Sequence, residues 1–350
     1  MGSIGVAVKS TYGELPQLAR DVERRGFDTI WLSETRQDSI IQATLAVTAT
    51  QRIRVGTSIT LAFPRSPTVT AMQAWDLDEL SGGRFVMGLG SQVRRIIEER
   101  YSSVFDRPAE RMGEYLQAMR TVWAMERGDR TPFDGEIFRV LRPGLGGPGN
   151  ADRPPPAVYL AAVGPLMTRT AARHTDGTIG HPFTSPRFIE NFVLPRLEEE
   201  LSAAGRDRES FDVVQGTIVS IADRREDAIW DAKRQIGFYG TTPNYRAVFA
   251  SYGDENLTET LRQVFRETGG DADALAAAIP DELVDRYALA GTAEEVRDRL
   301  PVFAELVDHL QLGSPWYGIP AGRIREHLDA IITTCGRSGP EVAAEVSSAG

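Results

Sequence analysis

Short apolar runs alternate with longer stretches of helical period along almost the whole chain. Residues 4–8 read as a strand, and 14–25 as a helix with Leu15, Leu18, Ala19 and Val22 on one face. Strand 29–33 precedes helix 40–50, and strand 53–59, rich in β-branched residues, precedes helix 67–80. Strand 85–89 leads to a long helix over 108–126 that opens on Pro108, where a missing N–H leaves no helix bond unmade. A Gly- and Pro-rich stretch over 141–156 reads as a loop excursion. The alternation then resumes with strand 158–163, helix 167–174, strand 177–181 and helix 186–204. Strands 213–221 and 310–313 follow, with helical segments 226–239, 257–268 and 293–306 between them.

Such alternation predicts parallel strands joined by right-handed crossovers. Eight units in one chain favour an α/β fold of the (β/α)8 TIM-barrel type, with insertion segments, over an open doubly wound sheet. The open sheet would want a Gly-rich phosphate turn after its first strand, and Lys9-Ser10-Thr11-Tyr12-Gly13 does not supply GxGxxG. The predicted organisation is one barrel domain over 1–336, with insertions near 141–156 and 241–290. A Ser-, Ala- and Glu-rich tail over 337–350 reads as mobile.

Composition narrows the function classes. With 350 residues, 41% of them hydrophobic and 25% charged, the chain can bury a full core. Its net charge of -10 repels phosphate backbones and anionic lipid, so neither nucleic acid nor membrane is an expected partner. Cys335 is the sole cysteine, which excludes an internal disulfide, and the four histidines show no HExxH-like spacing, so no metal site is expected. Neither a leader pattern nor a run of about 18 apolar residues occurs, and the expected compartment is the cytoplasm.

A barrel of this class carries its chemistry on loops after the C-terminal ends of its strands. That rule selects Ser33-Glu34-Thr35-Arg36, Gly56-Thr57-Ser58-Ile59, Gly88-Leu89-Gly90-Ser91-Gln92, Ala161-Ala162-Val163-Gly164-Pro165 and His181-Pro182-Phe183-Thr184. After the fifth strand, Gly164 and Pro165 open a helix whose first turn holds Thr168 and Arg169. Unpaired N–H groups at a helix start attract anions, with Leu166 and Met167 as the donors because Pro165 has none. An ordinary strand-to-helix turn would look the same. Glu34 is either a proton-exchanging group or a carboxylate paired with Arg36, and His181 either an acid/base or a structural histidine. Trp31, in mid-strand, reads as a core aromatic, Phe63 as core or stacking partner, and the Arg94 to Arg100 charge run as a solvated helix face.

Taken together these segments resemble the luciferase-like flavin and deazaflavin oxidoreductases. The resemblance rests on residues 26–34 (GFDTIWLSE), 52–59 (RIRVGTSI), 80–90 (LSGGRFVMGLG), 107–111 (RPAER) and 158–177 (VYLAAVGPLMTRTAARHTDG), in that order, and covers residues 4 to about 335. It implies hydride transfer between a flavin-type cofactor and a small organic substrate. The third- and fifth-strand segments are closer to the branch that uses coenzyme F420, reducing C=C or C=N bonds or oxidising alcohols. FMN is the alternative, in a monooxygenase, and a barrel that binds F420 without turnover is a third. It also implies a non-proline cis peptide at Ser58-Ile59 behind the cofactor ring, with Gly90, Ser91 and Gln92 lining the ring pocket. Ala162, Val163, Gly164 and Pro165 then follow the ring-to-phosphate path, with Thr168 and Arg169 near the phosphate. Relatives often place an acidic residue and a histidine after the second strand. Here the pair is Glu34-Thr35, which makes Glu34 the first choice for proton exchange, ahead of His181. Relatives also commonly pair through barrel helices, which implies a homodimer.

Overall fold

In the computed structural model, residues 2–144 and 153–337 are described. Residues 145–152 of the predicted 141–156 excursion and the tail beyond 337 lie outside them. Eight parallel strands form a closed ring: β1 (Ser3–Val8), β2 (Thr29–Leu32), β3 (Arg54–Thr57), β4 (Phe85–Gly90), β5 (Ala157–Ala161), β6 (Gly177–Gly180), β7 (Asp212–Ile221) and β8 (His309–Gly313). Each pairs with the next, and β1 pairs back to β8 with Ala7 opposite Gly313. This is the (β/α)8 barrel that the alternation predicts.

The helices form because their apolar residues recur on one face. In Leu15–Arg24 the buried residues are Leu15, Leu18, Ala19 and Val22, the stripe legible in the sequence. Pro108–Glu126 keeps its predicted ends. The helix read over 186–204 is interrupted: Pro186–Phe188 runs into a wide π turn over Ile189–Val193 before Leu194–Ala203. Pro195 has no N–H to return to the preceding turn, and the wider turn accommodates that gap. Strand 53–59 is also shorter than predicted. It stops at Thr57, bulges through Ser58-Ile59, and restarts as Thr60–Leu61 beside β4.

The barrel interior is packed by Trp31, Val86, Tyr159, Ile179 and Val214. Trp31, 1% exposed, is a core residue as expected. It fits because Gly5 and Gly56 face it; a Cβ on Gly56 would lie 2.3 Å from Trp31 Cζ3. Phe63 is also buried, edge-on to Phe105. At the N-terminal end a polar cluster closes the barrel: Arg54 Nη2 donates to the Tyr159 hydroxyl at 3.0 Å, the hydroxyl donates to Asp212, and His309 Nε2 stands 3.5 Å from the same carboxylate. Conserving geometry there serves stability, while the opposite end is free for chemistry. Between β7 and β8 the chain builds a helical excursion, which encloses its own apolar cluster around Phe249, Leu261, Leu275 and Tyr287. It ends in Ala288–Gly291, which pairs with the C-terminal half of β7.

Candidate active site

The C-terminal ends of the strands open onto two adjoining cavities that share His181 in their walls. The smaller, about 500 Å3, lies over β5 and β6. Ala162, Val163, Gly164, Pro165 and Thr168 all line it, so the fifth-strand segment expected to follow the cofactor is brought together there. Gly164 caps the helix Pro165–His174 in extended conformation, and a Cβ on it would meet nothing within 4 Å. The first N–H groups of that helix have no intrahelical acceptor and face an anion with a favourable dipole. Arg196 adds a cation to the wall, and the buried Thr184 hydroxyl finds no partner among the described residues. The walls contain no carboxylate. These residues fit a negatively charged tail. Arg169, expected beside the phosphate, instead turns away: its Nε and Nη2 donate to Glu200 at 3.0–3.2 Å.

The larger cavity, about 660 Å3, lies over β1, β2, β7 and β8. The peptide bond Ser58-Ile59 is cis, and Ser58 lines the cavity, its hydroxyl donating to Gln311 Oε1 at 2.9 Å. Gly90 supports the bulge by having no side chain: a Cβ there would lie 1.9 Å from Ile59 Cδ1. Ile59, Gly90, Ser91 and Gln92 belong to neither cavity wall. Gln92 follows β4 in a left-handed backbone (φ 56°), its Oε1 accepting from Val93 N–H.

Glu34 also lies off both walls, although Ser33, Thr35 and Arg36 line the larger cavity. Its partner is neither substrate space nor Arg36. Both carboxylate oxygens accept from Arg65, at 2.8 and 2.9 Å, and Oε2 accepts from Leu61 N–H at 2.9 Å and from the Ser39 hydroxyl at 3.4 Å. Its side chain is 7% exposed. In this geometry the carboxylate expected to exchange a proton instead joins the restart of the third strand to the second, through Leu61 and Arg65. His181 does face the cavities. Its ring stacks on Tyr245 and meets Tyr239 edge-on, and burial pushes its pKa down to about 3. Nδ1 accepts from Phe183 N–H at 3.1 Å, so the neutral ring carries its proton on Nε2. In this geometry the neutral His181 ring presents Nε2–H as a hydrogen-bond donor.

The sequence from residue 3 to 310 matches the family described as luciferase-like monooxygenase. The chain belongs to that family. An uncharacterized protein of Mycobacterium tuberculosis is 35% identical over 303 residues, covering 82% of this chain and 88% of its own length. Another protein of that organism, named provisionally as a coenzyme F420-dependent oxidoreductase, is 32% identical over 323 residues (87% and 90%). Among solved structures, the coenzyme F420-dependent tetrahydromethanopterin reductase of Methanopyrus kandleri superposes with a TM-score of 0.76. It is 20% identical and covers 95% of this chain and 98% of its own, a likeness of fold.

In this family member the larger cavity has a wall that the sequence reading did not find. Lys9 follows β1, is solvent-exposed, and lies 4.7 Å from the Trp316 ring centroid; partial desolvation by the neighbouring protein pushes its pKa down to about 8. Gln235 and Tyr239 stand one turn apart on the helix Arg225–Gly240 and reach the same cavity. Lys9 directly follows β1 at the C-terminal end of the barrel, a position legible in the sequence. Gln235, Tyr239 and Trp316 come from the excursion and from the loop after β8, which no local spacing connects to the barrel mouth. Among the described residues no group of three or more His, Cys, Asp or Glu could hold a metal ion. No helix among them is long and apolar enough to cross a membrane.

Proposed function

We propose that this luciferase-like protein is an F420-dependent oxidoreductase that transfers a hydride between coenzyme F420 and a small organic substrate. The observation that carries this reading is the pair of adjoining cavities: a carboxylate-free arm under a helix start, leading to a wider chamber at the Ser58-Ile59 bulge. F420, when bound, supplies two-electron hydride chemistry at its ring. The chain's own work is positional. Gly164, Thr168 and Arg196 would hold the anionic tail, with the N–H groups of Leu166 and Met167. Ser58 and Gln311 would edge the ring. His181 would offer its Nε2–H where the two cavities meet, polarising a carbonyl or imine without becoming charged.

The 32% identical relative named for F420 supports this cofactor over FMN. The family description, which says monooxygenase, favours FMN and oxygen activation as the rival. Calorimetric titration of the purified chain decides between them. We expect F420 to bind at least about tenfold more tightly than FMN, a difference of about 1.4 kcal/mol. Tight FMN binding with no measurable F420 affinity would overturn the assignment in favour of the monooxygenase. Tight F420 binding without hydride exchange toward carbonyl, imine or enone compounds would leave a non-catalytic F420-binding barrel.

A further inference from the structure

The larger cavity is electropositive in a protein whose net charge is -10. Its walls carry Lys9 and Arg36 and no Asp or Glu. Neither cation has an anionic partner among the described residues. Two buried donors of residues lining the same cavity have no acceptor among the described residues. Gln235, 1% exposed, accepts from the backbone N–H groups of Trp316 and Tyr317 at 2.9 and 3.1 Å through Oε1. Those two bonds fix the amide's orientation and leave Nε2 unpartnered. Thr217, fully buried on β7, has a hydroxyl that is likewise unpartnered. Buried donors are nearly always satisfied in a working protein, by a ligand or by ordered water.

These groups are contiguous. Lys9 lies over Trp316, the Trp316 backbone binds Gln235, and Thr217 follows Gly216 in the wall of the same cavity. They gather over β7, β8 and β1, across the barrel mouth from the tail cradle at Gly164. We infer that this wall is the substrate's anion subsite: Lys9, Gln235 and Thr217 bind a carboxylate or phosphate group whose apolar body lies against Trp316 and Tyr239. Arg36, exposed at the rim, steers the anion inward. The inference rests on the proposed function in one respect, that the chamber holds substrate beside cofactor. A neutral substrate would leave the two cations of this wall with no counter-charge in the cavity. An ammonium with two neutral donors matches the oxygens of a single anionic group.

The test uses the full chain and four probes: benzoate, phenyl phosphate, and their neutral counterparts benzamide and benzyl alcohol. Titration calorimetry is run on the cofactor-free protein and repeated with F420 at saturation. We expect at least one anion to bind at least about tenfold more tightly than its neutral counterpart, the scale of a hydrogen bond to a charged group. Which anion wins tells carboxylate from phosphate. Lys9→Met should remove that preference and Lys9→Arg should keep it, while F420 affinity stays unchanged in both. Equal binding of anions and neutral probes, binding of none of them at millimolar concentration, or an intact preference in Lys9→Met would each overturn the inference. So would a loss of F420 affinity in Lys9→Met, because the cation would then serve the cofactor. If F420 fails to bind while the anion preference tracks Lys9, the cofactor assignment falls and the subsite stands.

Discussion

Replacing Glu34 by glutamine separates a structural clamp from a catalytic carboxylate. The substitution keeps size and one carbonyl oxygen but presents an amide where the second carboxylate oxygen was. If the remaining oxygen still accepts from Leu61 N–H and Arg65 Nη1, the new NH2 faces Arg65 Nη2, donor against donor. Losing one charge-assisted hydrogen bond costs about 1.5–3 kcal/mol, and breaking a buried ion pair about 3–5 kcal/mol. Arg65 keeps Asp38 at 2.7 Å as a counter-charge, which places the expected cost near the lower range, about 2–3 kcal/mol. With an unfolding entropy of about 2.1 cal/mol/K per residue over 350 residues, the melting temperature should fall by roughly 3–4 °C. Differential scanning calorimetry reads that shift, and turnover per folded enzyme should drop less than about tenfold. An unchanged melting temperature with a loss of turnover of about 10²-fold, the scale of general acid–base catalysis, would refute the clamp and return the proton role to Glu34.

His181 should leave no inflection near pH ~6.5, the ordinary histidine range, in the pH dependence of turnover. His181→Gln, which keeps a neutral donor, should retain most activity, whereas His181→Phe should lose about tenfold or more; an inflection that vanishes in His181→Gln contradicts this. In Asp231, burial opposes the charge, yet hydrogen bonds from His327 and Arg323 outweigh it and hold the carboxyl below the usual range. Its contribution to stability is present above the unfolded value of ~3.9 and is lost as pH falls through the lowered folded value. Asp231→Asn should therefore cost about 3 kcal/mol at neutral pH, and its melting-temperature deficit should shrink on acidification below pH ~4; a deficit independent of pH would remove the argument. The homodimer is expected through the helices Ser39–Ala49 and Pro67–Ser81, where Ile41, Val69, Met72 and Leu80 are exposed. Light scattering at micromolar concentration should give twice the chain mass, and the chain mass itself would dismiss the pairing.

What the sequence reveals here follows from how local each signal is. All eight barrel strands are legible because each is a short apolar run between turn residues, and Pro108 marks its helix start without help from the fold. Ala288–Gly291 is not legible: four residues (ALAG) without β-branching look like any loop, and only pairing with β7 makes them a strand. The helix Ala321–Cys335 was within reach, since Ile324, Leu328, Ile331 and Ile332 repeat at helical spacing after Pro320. The hairpin of Phe133–Asp134 and Arg139–Val140 has strands too short to show a period. At the site, the segment from Ala162 to Thr168 is continuous and was found as a unit. The partner of Glu34, Arg65, lies 31 positions away in sequence, and so does Glu200 from Arg169, so neither pairing is legible locally. Ion pairs across elements leave no trace in local spacing.

The central claim is that a negatively charged cofactor tail lies at Gly164, and Gly164→Asp tests it most directly. A Cβ at this position meets nothing within 4 Å, and aspartate is a favoured residue ahead of a helix, so the fold should be unharmed. The new carboxylate would occupy the anion's place and repel it. Equilibrium titration of F420 into the variant should show affinity reduced by about 10²-fold or more, with an unfolding curve matching that of the parent chain. Unchanged F420 affinity in a folded Gly164→Asp protein would contradict the placement of the cofactor along β5.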